Sequence, residues 1–238
     1  MREFKDCYIA FLDILGFKEI LKSPLQNKCE VIAGYFDRIQ EEYNITIDST
    51  GEPLIQLSAI HQKIMSDSIC FYVEASETNA LAGLVAVCDY FQVRMARQQE
   101  PILIRGAIVQ GELYADGDIV FGNGFVNAYL MEENTAKYPR IILTKHLIKH
   151  AISNNSYGED YIKQFTFEDE DSFFSLDYLY LFYGLRHEHS DWKQFASKVF
   201  ERIDEETNAS IREKYLYIRR NIDRARKKFM DNEGYKYA

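Results

Sequence analysis

A single acidic side chain interrupts the most apolar segment near the start of the chain. Residues 7–16, Cys-Tyr-Ile-Ala-Phe-Leu-Asp-Ile-Leu-Gly, are a run of apolar and β-favouring residues that predicts a buried strand. The acidic residue, Asp13, lies near the end of that strand. A carboxylate in such surroundings costs free energy unless a cation or hydrogen-bond donors face it. The fold must therefore bring a partner for Asp13 to the end of this strand.

Strand-like and helix-like patterns alternate over the first 150 residues. Apolar residues at helical spacing predict helices, and β-rich runs bounded by turn residues predict strands. The predicted elements, in chain order, are a strand (7–16), a helix (25–43), two strands joined by a tight turn (60–73), a helix (76–99), two strands (102–109 and 119–124), a helix (125–134) and a strand (140–144). This order indicates a mixed α/β pattern in which strands alternate with helices, with a central hairpin.

The chain changes character near residue 186. Apolar residues recur at helical spacing over 192–229, and a gap at 205–210 predicts two helices rather than one. We therefore divide the chain into a domain at 1–185 and a C-terminal helical extension at 186–238. The aromatic run just before the boundary, Tyr-Leu-Tyr-Leu-Phe-Tyr at 178–183, is interpreted as strand and core packing.

The second predicted C-terminal helix is strongly basic. One interpretation is a solvated helix face, and the other is that some of its cations reach a phosphate site. Arg219 and Arg220 are the candidates under the second interpretation.

Charge and composition restrict the class of protein. A formal net charge of −9 argues against bulk nucleic-acid binding, which relies on neutralising phosphates with Lys and Arg. No apolar run approaches the roughly 20 residues that a membrane span needs. The four cysteines lack C-x-x-C spacing, which favours reduced core thiols. These features predict a soluble cytoplasmic protein that has no membrane span and does not bind nucleic acid.

A second carboxylate, Asp67, lies at the bend of the predicted hairpin. If that hairpin packs beside the first strand, Asp13 and Asp67 converge. Two carboxylates with an open face suit Mg²⁺ or Mn²⁺, which complete their coordination with substrate phosphates. The peptide Ile14-Leu-Gly-Phe17 follows the strand and offers backbone N–H groups to a phosphate.

Four segments in order resemble the motifs of class III nucleotidyl cyclases. Phe11-Leu-Asp-Ile-Leu-Gly-Phe17 is similar to the family's Asp-Ile-x-Gly-Phe signature, and Lys63-Ile-Met-Ser-Asp-Ser-Ile69 is similar to its Lys-x-x-Gly-Asp hairpin. Leu103-Ile-Arg-Gly-Ala-Ile-Val-Gln-Gly-Glu112 resembles the Arg-x-Gly-Ile-x-x-Gly-Glu strand. Phe121-Gly-Asn-Gly-Phe-Val-Asn-Ala128 resembles Gly-Asp-x-Val-Asn with one residue inserted. The resemblance implies an α+β fold, with a ferredoxin-like βαββαβ class III cyclase core followed by the C-terminal helical extension.

The resemblance also implies roles for individual residues. Two Mg²⁺ or Mn²⁺ ions would be held by Asp13, Asp67 and the carbonyl of Ile14. The triphosphate would be bound by the backbone N–H groups of Leu15, Gly16 and Phe17. The remaining substrate-binding positions would be Asn127 at the ribose, Lys63 at the base, and Arg105 and Asn123. The family's site lies between two protomers, which implies a homodimer with two sites.

Two departures from the family bear on the substrate. Met131 stands where the family has its transition-state Arg, and Asn123 or Gly124 replaces the base-binding Asp. The helix start at 121–129, Phe-Gly-x-x-x-Val-x-Ala-Tyr, resembles that of the pyrimidine cyclases of anti-phage signalling. That resemblance implies an enzyme making cyclic UMP or cyclic CMP for a downstream cyclic-nucleotide-gated effector. A purine cyclase and a nucleotide-binding protein without turnover remain open alternatives.

Overall fold

An eight-stranded sheet lies at the centre of the computed structural model, which describes residues 3–22, 59–152, 157–184 and 189–234. The strands are β1 (Lys5–Ile14), β2 (His61–Met65), β3 (Ser68–Glu74), β4 (Ile104–Asp116), β5 (Ile119–Phe121), β6 (Ile141–Leu143), β7 (Thr166–Glu168) and β8 (Phe174–Leu176). Their order is β2-β3-β1-β4-β6-β8-β7, with β5 paired to β4. The β4–β6 pair is parallel, whereas the other pairs are antiparallel.

The helices include some that the hydrophobic pattern predicts and others that it does not. They are α1 (Phe17–Lys22), α2 (Ala80–Ala96), α3 (Asn123–Thr135), α4 (Lys145–Ile152), α5 (Tyr157–Phe165), α6 (Tyr178–Gly184), α7 (His189–Glu205) and α8 (Ala209–Gly234). The predicted hairpin and the predicted helices at 76–99 and 125–134 are confirmed as β2–β3, α2 and α3. The predicted helix at 25–43 lies outside the described residues.

Strand β1 occupies the middle of the sheet and is covered on both faces. Successive side chains of a strand point to opposite faces. Tyr8, Ala10 and Leu12 pack in the cluster that includes α2. Ile9 and Phe11 pack on the other face, in the cluster that includes α3. Because the alternation continues along β1, the side chain of Asp13 lies on the same face as Ile9 and Phe11, the face that α3 covers.

The C-terminal helices share a hydrophobic cluster with the sheet domain. Side chains of α7 and α8 pack with α6 and with Val93, Ala96 and Leu103 of the preceding domain. The extension contributes Trp192, Phe195, Val199, Ile203, Ile218, Ile222 and Ala225 to this cluster. The prediction of two helices is confirmed, and the extension is packed onto the domain through apolar contacts.

The aromatic run at 178–183 forms a helix, so the strand prediction for it is wrong. The backbone N–H of Tyr180 lies 3.3 Å from the side-chain Oδ1 of Asp177, and the N–H of Leu181 donates to the Asp177 carbonyl at 3.1 Å. Asp177 therefore begins α6 in the manner of an N-cap residue. The other half of the prediction is confirmed, because the side chains from Tyr178 to Phe182 are buried.

Several basic residues of α8 contact carboxylates or aromatic rings of the same chain. Arg224 donates two hydrogen bonds to the buried carboxylate of Asp177, at 2.8 and 2.6 Å, and Lys228 Nζ lies 3.0 Å from the same carboxylate. The Arg219 guanidinium lies 5.5 Å from the Phe200 ring centre. Arg220 lies 6.0 Å from the ring of Tyr217, also on α8. Arg219 and Arg220 are exposed, and a ring contact uses none of their N–H groups, so their service of a phosphate site stays a prediction.

The described cysteines are buried and free. Burial raises the pKa of Cys7 to about 11 and that of Cys70 to about 12, which makes both thiols unreactive. Cys88 is likewise buried, and Cys29 lies outside the described residues. Within the described ranges, no helix combines the length and the apolar character that a membrane crossing requires.

Candidate active site

The backbone brings the two predicted metal ligands together at one end of β1. Asp13 is paired across the sheet with Ser68 of β3 and with Arg105 of β4. The N–H of Ile14 donates to the carbonyl of Asp67 at 3.1 Å. Asp67 precedes Ser68 in the β2–β3 turn, so the hairpin packs beside the first strand as predicted, and Asp13 and Asp67 lie side by side.

Arg105 is the partner that Asp13 requires. Its Nε donates to Asp13 Oδ2 at 3.0 Å, and the Asp13 side chain is only 18% exposed. Burial nevertheless raises the pKa of Asp13, and the neighbouring charge of Asp67 raises it further, while Arg105 opposes the rise. The positive charge of Arg105 therefore does not fully offset the effects of burial and of Asp67 on the pKa of Asp13.

A third carboxylate, Glu132, faces the same guanidinium from α3. Its Oε1 lies 2.7 Å from Arg105 Nε, and its side chain is 3% exposed. Burial raises the pKa of Glu132 to about 7, against the opposing charge of Arg105, and the charges of Asp13 and Asp67 add to the rise. The sequence analysis missed Glu132. The available signal was helical spacing, because Glu132 follows Gly124 and Ala128 at intervals of four on the buried face of α3.

The loop between β1 and α1 is tied to the sheet. The Leu15 N–H donates to the Leu103 carbonyl at 2.9 Å. This bond occupies the Leu15 N–H, so the structure does not support the phosphate contact predicted for Leu15. Gly16 has a positive φ of +84°, a conformation that favours glycine, and Phe17 begins α1 with its side chain buried. The phosphate contacts predicted for Gly16 and Phe17 stay predictions.

Solved structures with a similar fold are nucleotide cyclases. The adenylyl cyclase CyaB from P. aeruginosa is 14% identical, with 74% of this chain and 95% of that chain covered and a TM-score of 0.52. The monomeric guanylyl cyclase domain of the RhoGC fusion protein from the aquatic fungus Blastocladiella emersonii is 15% identical, with 73% and 95% covered and a TM-score of 0.51. The chain has the class III cyclase fold. No family model and no curated protein matches the sequence.

Lys63 lies in a cleft of this cyclase-fold domain, away from the Asp67 turn. Its position pairs with Cys70 in the middle of the hairpin, and its Nζ donates to the Gly117 carbonyl and lies 3.7 Å from Asp118. The cleft has a volume of about 380 Å³ and is lined in part by Lys5, His61, Gln62, Tyr72 and Glu74. The structure therefore does not bring Lys63 to Asp13 within one chain.

The two predicted asparagines of α3 differ in their surroundings. Asn123 Oδ1 accepts the Glu112 N–H at 2.9 Å, and its Nδ2 donates to Glu112 Oε2 at 3.2 Å. An amide retains a second N–H and a second lone pair, so a contact of Asn123 with a base stays a prediction. Asn127 is exposed on the outer face of α3, and its predicted contact with the ribose is likewise untested.

Met131 turns into an apolar cluster. It packs with the buried side chains of Ala107, Ala136 and Ile142. The cyclase-fold position that carries the family's Arg therefore supplies no charge in this chain, as the sequence predicts.

The donor set fits a hard divalent cation. Asp13 and Asp67 provide oxygen ligands, and burial of Asp13 raises its pKa despite the contact with Arg105, so a further cation would favour its ionised form. The described ranges contain no group of three or more His, Cys, Asp or Glu side chains placed to hold a metal ion. Mg²⁺ and Mn²⁺ need few protein oxygens when substrate phosphates complete the coordination. The residues that would hold such ions are Asp13, Asp67 and the carbonyl of Ile14.

Proposed function

We propose that the protein is a metal-dependent nucleotidyl cyclase that converts a pyrimidine nucleoside triphosphate, UTP or CTP, to the 3′,5′-cyclic monophosphate and diphosphate. The single observation that carries this proposal is the convergence of Asp13 and Asp67 beside Arg105 at the end of β1. The class III cyclase fold supports the same reaction type, because both similar structures described above are cyclases by name.

Each residue of the site has a defined part in the proposed reaction. Two bound Mg²⁺ or Mn²⁺ ions would lower the pKa of the ribose 3′-hydroxyl and neutralise charge on the triphosphate. Asp13 and Asp67 would hold the cations, and the N–H groups of Gly16 and Phe17 would donate to the phosphates. The 3′-oxygen loses its proton to water and bonds to the α-phosphorus, and diphosphate leaves with the electrons of the broken P–O bond.

Arg105 replaces the cation that the family carries at the position of Met131. Its guanidinium lies at the mouth of the site, 24% exposed, and within hydrogen-bonding distance of Asp13. A guanidinium donates to phosphate oxygens in a fixed planar arrangement, which suits the charge that develops on the leaving diphosphate. Arg105 is therefore the residue to which we assign stabilisation of that charge.

The choice of a pyrimidine rests on the start of α3. Asn123 stands in place of a base-binding Asp and is already bonded to Glu112, and the segment 121–129 resembles that of the pyrimidine cyclases. The cyclic product would act as a second messenger on a cyclic-nucleotide-gated effector in anti-phage defence. Lys63 favours a purine cyclase as the second candidate, because it matches a base-binding position of adenylate cyclases. Met131 favours nucleotide binding without turnover as the third.

The proposed functional unit is a homodimer in which the partner supplies Lys63 and Asn127. Large apolar side chains remain exposed around α3 and β5, and α3 carries Asn127. They are Phe4, Ile119, Phe121, Val126, Tyr129 and Leu130. An exposed apolar patch of this kind marks an interaction surface, and burying it against a second copy would place Asn127 at the interface.

Product analysis tests the proposal. Purified protein is incubated separately with ATP, GTP, CTP and UTP, with Mn²⁺ or Mg²⁺, and the products are identified by chromatography and mass spectrometry beside an Asp67→Ala control. Cyclic UMP or cyclic CMP that is absent from the control is the expected result. Cyclic AMP or cyclic GMP would establish the purine alternative. A folded protein that forms no cyclic product from any nucleotide would overturn the proposed activity in favour of binding alone.

A further inference from the structure

One N–H group at the site faces two carboxylates. Arg105 Nε carries a single hydrogen, which points to Asp13 Oδ2 at 3.0 Å. Glu132 Oε1 lies closer to the same nitrogen, at 2.7 Å, yet it has no hydrogen-bond partner among the residues that the structure describes. Arg105 and Glu132 therefore form an ion pair without a hydrogen bond, because the Nε hydrogen of Arg105 is donated to Asp13. Glu132 Oε1 remains able to accept that hydrogen.

We infer that Glu132 is a positioning residue for Arg105, which it holds at the mouth of the site when Asp13 transfers from the guanidinium to a divalent cation. This inference rests on the proposed function, since it concerns the same metal ligand and the same arginine. In the metal-free protein the Arg105 hydrogen goes to Asp13. When a cation occupies the Asp13 carboxylate, that hydrogen turns to Glu132 Oε1, and the rest of the guanidinium is left facing the phosphates.

Burial gives this exchange its energetic basis. A buried charge that loses its partner costs several kcal/mol in typical proteins, so a cation that displaced Arg105 from Asp13 without a second acceptor would bind weakly. Glu132 removes that cost because it is 3% exposed and already in contact with the guanidinium.

The acceptor is held in place by the packing of α3 on β4. A Cβ added to Gly111 would lie 2.7 Å from the Cα of Gly124, so no side chain separates strand and helix at this point. Glu132 lies two helical turns further along the same buried face, after Ala128. The helix therefore presents Glu132 to Arg105 from a fixed position, as a positioning residue requires.

The inference predicts opposite effects for two substitutions on metal affinity. Glu132→Gln removes the second acceptor and leaves Asp13 paired with Arg105, so Mn²⁺ binding weakens by about tenfold or more, as is typical for residues that orient metal ligands. Arg105→Gln removes the group that competes with the cation for Asp13, so Mn²⁺ binding tightens. In the double variant the Glu132 substitution has little further effect, since the residue through which it acts is gone.

The experiment measures Mn²⁺ binding to the full chain without nucleotide, by electron paramagnetic resonance of free Mn²⁺, for these three variants. Glu133→Gln is the matched control, because Glu133 is the exposed neighbour of Glu132 on the same helix and carries the same charge. Circular dichroism verifies that each variant is folded. The expected result is weaker binding in Glu132→Gln, tighter binding in Arg105→Gln, and wild-type binding in Glu133→Gln.

The outcomes separate this inference from the proposed function. An equal loss from Glu132→Gln in the presence and absence of Arg105 would overturn the inference, since Glu132 would then act directly on the cation. If Glu132→Gln leaves the Mn²⁺ affinity unchanged while Asp13→Asn abolishes Mn²⁺ binding, the role of Glu132 is overturned and the proposed function is not. Mn²⁺ binding that is insensitive to both Asp13→Asn and Asp67→Asn would overturn the metal site on which the proposed function depends.

Discussion

Gly111 of β4 and Gly124 of α3 touch through their backbones, because a Cβ on Gly124 would lie 2.9 Å from the carbonyl carbon of Gly111. Such a distance is shorter than real Cβ contacts allow. The helix that carries Asn127 and Glu132 is therefore seated on the sheet at a depth that only glycine permits at both positions.

Replacement of Gly124 by Ala is expected to lower the free energy of unfolding by about 2 to 3 kcal/mol, because the added methyl group meets backbone that cannot give way. Urea denaturation measures the loss. Gly117→Ala is the control, since a Cβ there meets no atom within 4 Å. Its cost is limited to about 1 kcal/mol of strain from the positive φ. A Gly124→Ala variant as stable as the control would contradict the close packing.

The stability of the protein is expected to depend on pH through Glu132. The folded state raises the pKa of this carboxyl from 4.5 to about 7, so folding favours its protonated form. The resulting stabilisation is fully present below pH 4.5 and is lost as pH rises to about 7. Between pH 4.5 and about 7, the free energy of unfolding of the wild type should therefore fall by up to about 3 kcal/mol relative to that of Glu132→Gln.

Urea denaturation of both proteins at a series of pH values measures that difference. The Glu133→Gln variant should show no comparable pH-dependent difference from the wild type, because Glu133 is exposed. A constant difference between wild type and Glu132→Gln across the range would show that the folded protein does not raise the pKa of Glu132.

The buried ion pairs that hold α8 to Asp177 should contribute strongly to stability. Asp177 is fully buried and is paired with both Arg224 and Lys228. Asp177→Asn leaves two cations without their carboxylate, and we expect a loss of about 3 to 5 kcal/mol in the free energy of unfolding. Glu168→Gln breaks the half-exposed pair with Lys145 and should cost less than about 1 kcal/mol. Equal losses in chemical denaturation would show that burial does not distinguish the two pairs.

Mixing two inactive variants should restore activity if the site is shared between protomers. Asp67→Ala lacks a metal ligand and Asn127→Ala lacks the ribose contact, so a mixed dimer contains one intact site. An equal mixture should recover about a quarter of wild-type turnover, since half of the dimers are mixed and each has one of two sites. Turnover is measured with the nucleotide that the product assay identifies. Failure to recover activity after verified subunit exchange would place all site residues within one protomer.

The side-by-side placement of Asp13 and Asp67 was predictable because each residue follows from a local pattern. Asp13 ends an apolar strand, and Asp67 lies in a turn between two strands, so only the pairing of hairpin and strand remained to be found. Glu132 was not predictable in the same way. Its partner Arg105 lies on another element, and the local sequence Met131-Glu132-Glu133 does not distinguish the buried glutamate from the exposed one.

The error at 178–183 has a different cause. Alternating Tyr and Leu favour a strand by intrinsic preference, but that preference depends on context. In this chain Asp177 binds the first backbone N–H groups of α6, and the helix packs against α2 and α8. Contacts with distant residues, which no short window of sequence contains, therefore decided the conformation of this segment.

The hydrogen bond from the Ile14 N–H to the Asp67 carbonyl joins the two acidic positions through main chain alone. Every residue except proline offers the same two groups, so this link makes no demand on the identity of the side chains around it. Mutations could accumulate across the surrounding strands for a very long time without altering the spacing of the two carboxylates. A chain built in this way can differ at most positions from a protein of the same fold, as the 14% identity with CyaB illustrates, and still hold Asp13 and Asp67 at this spacing.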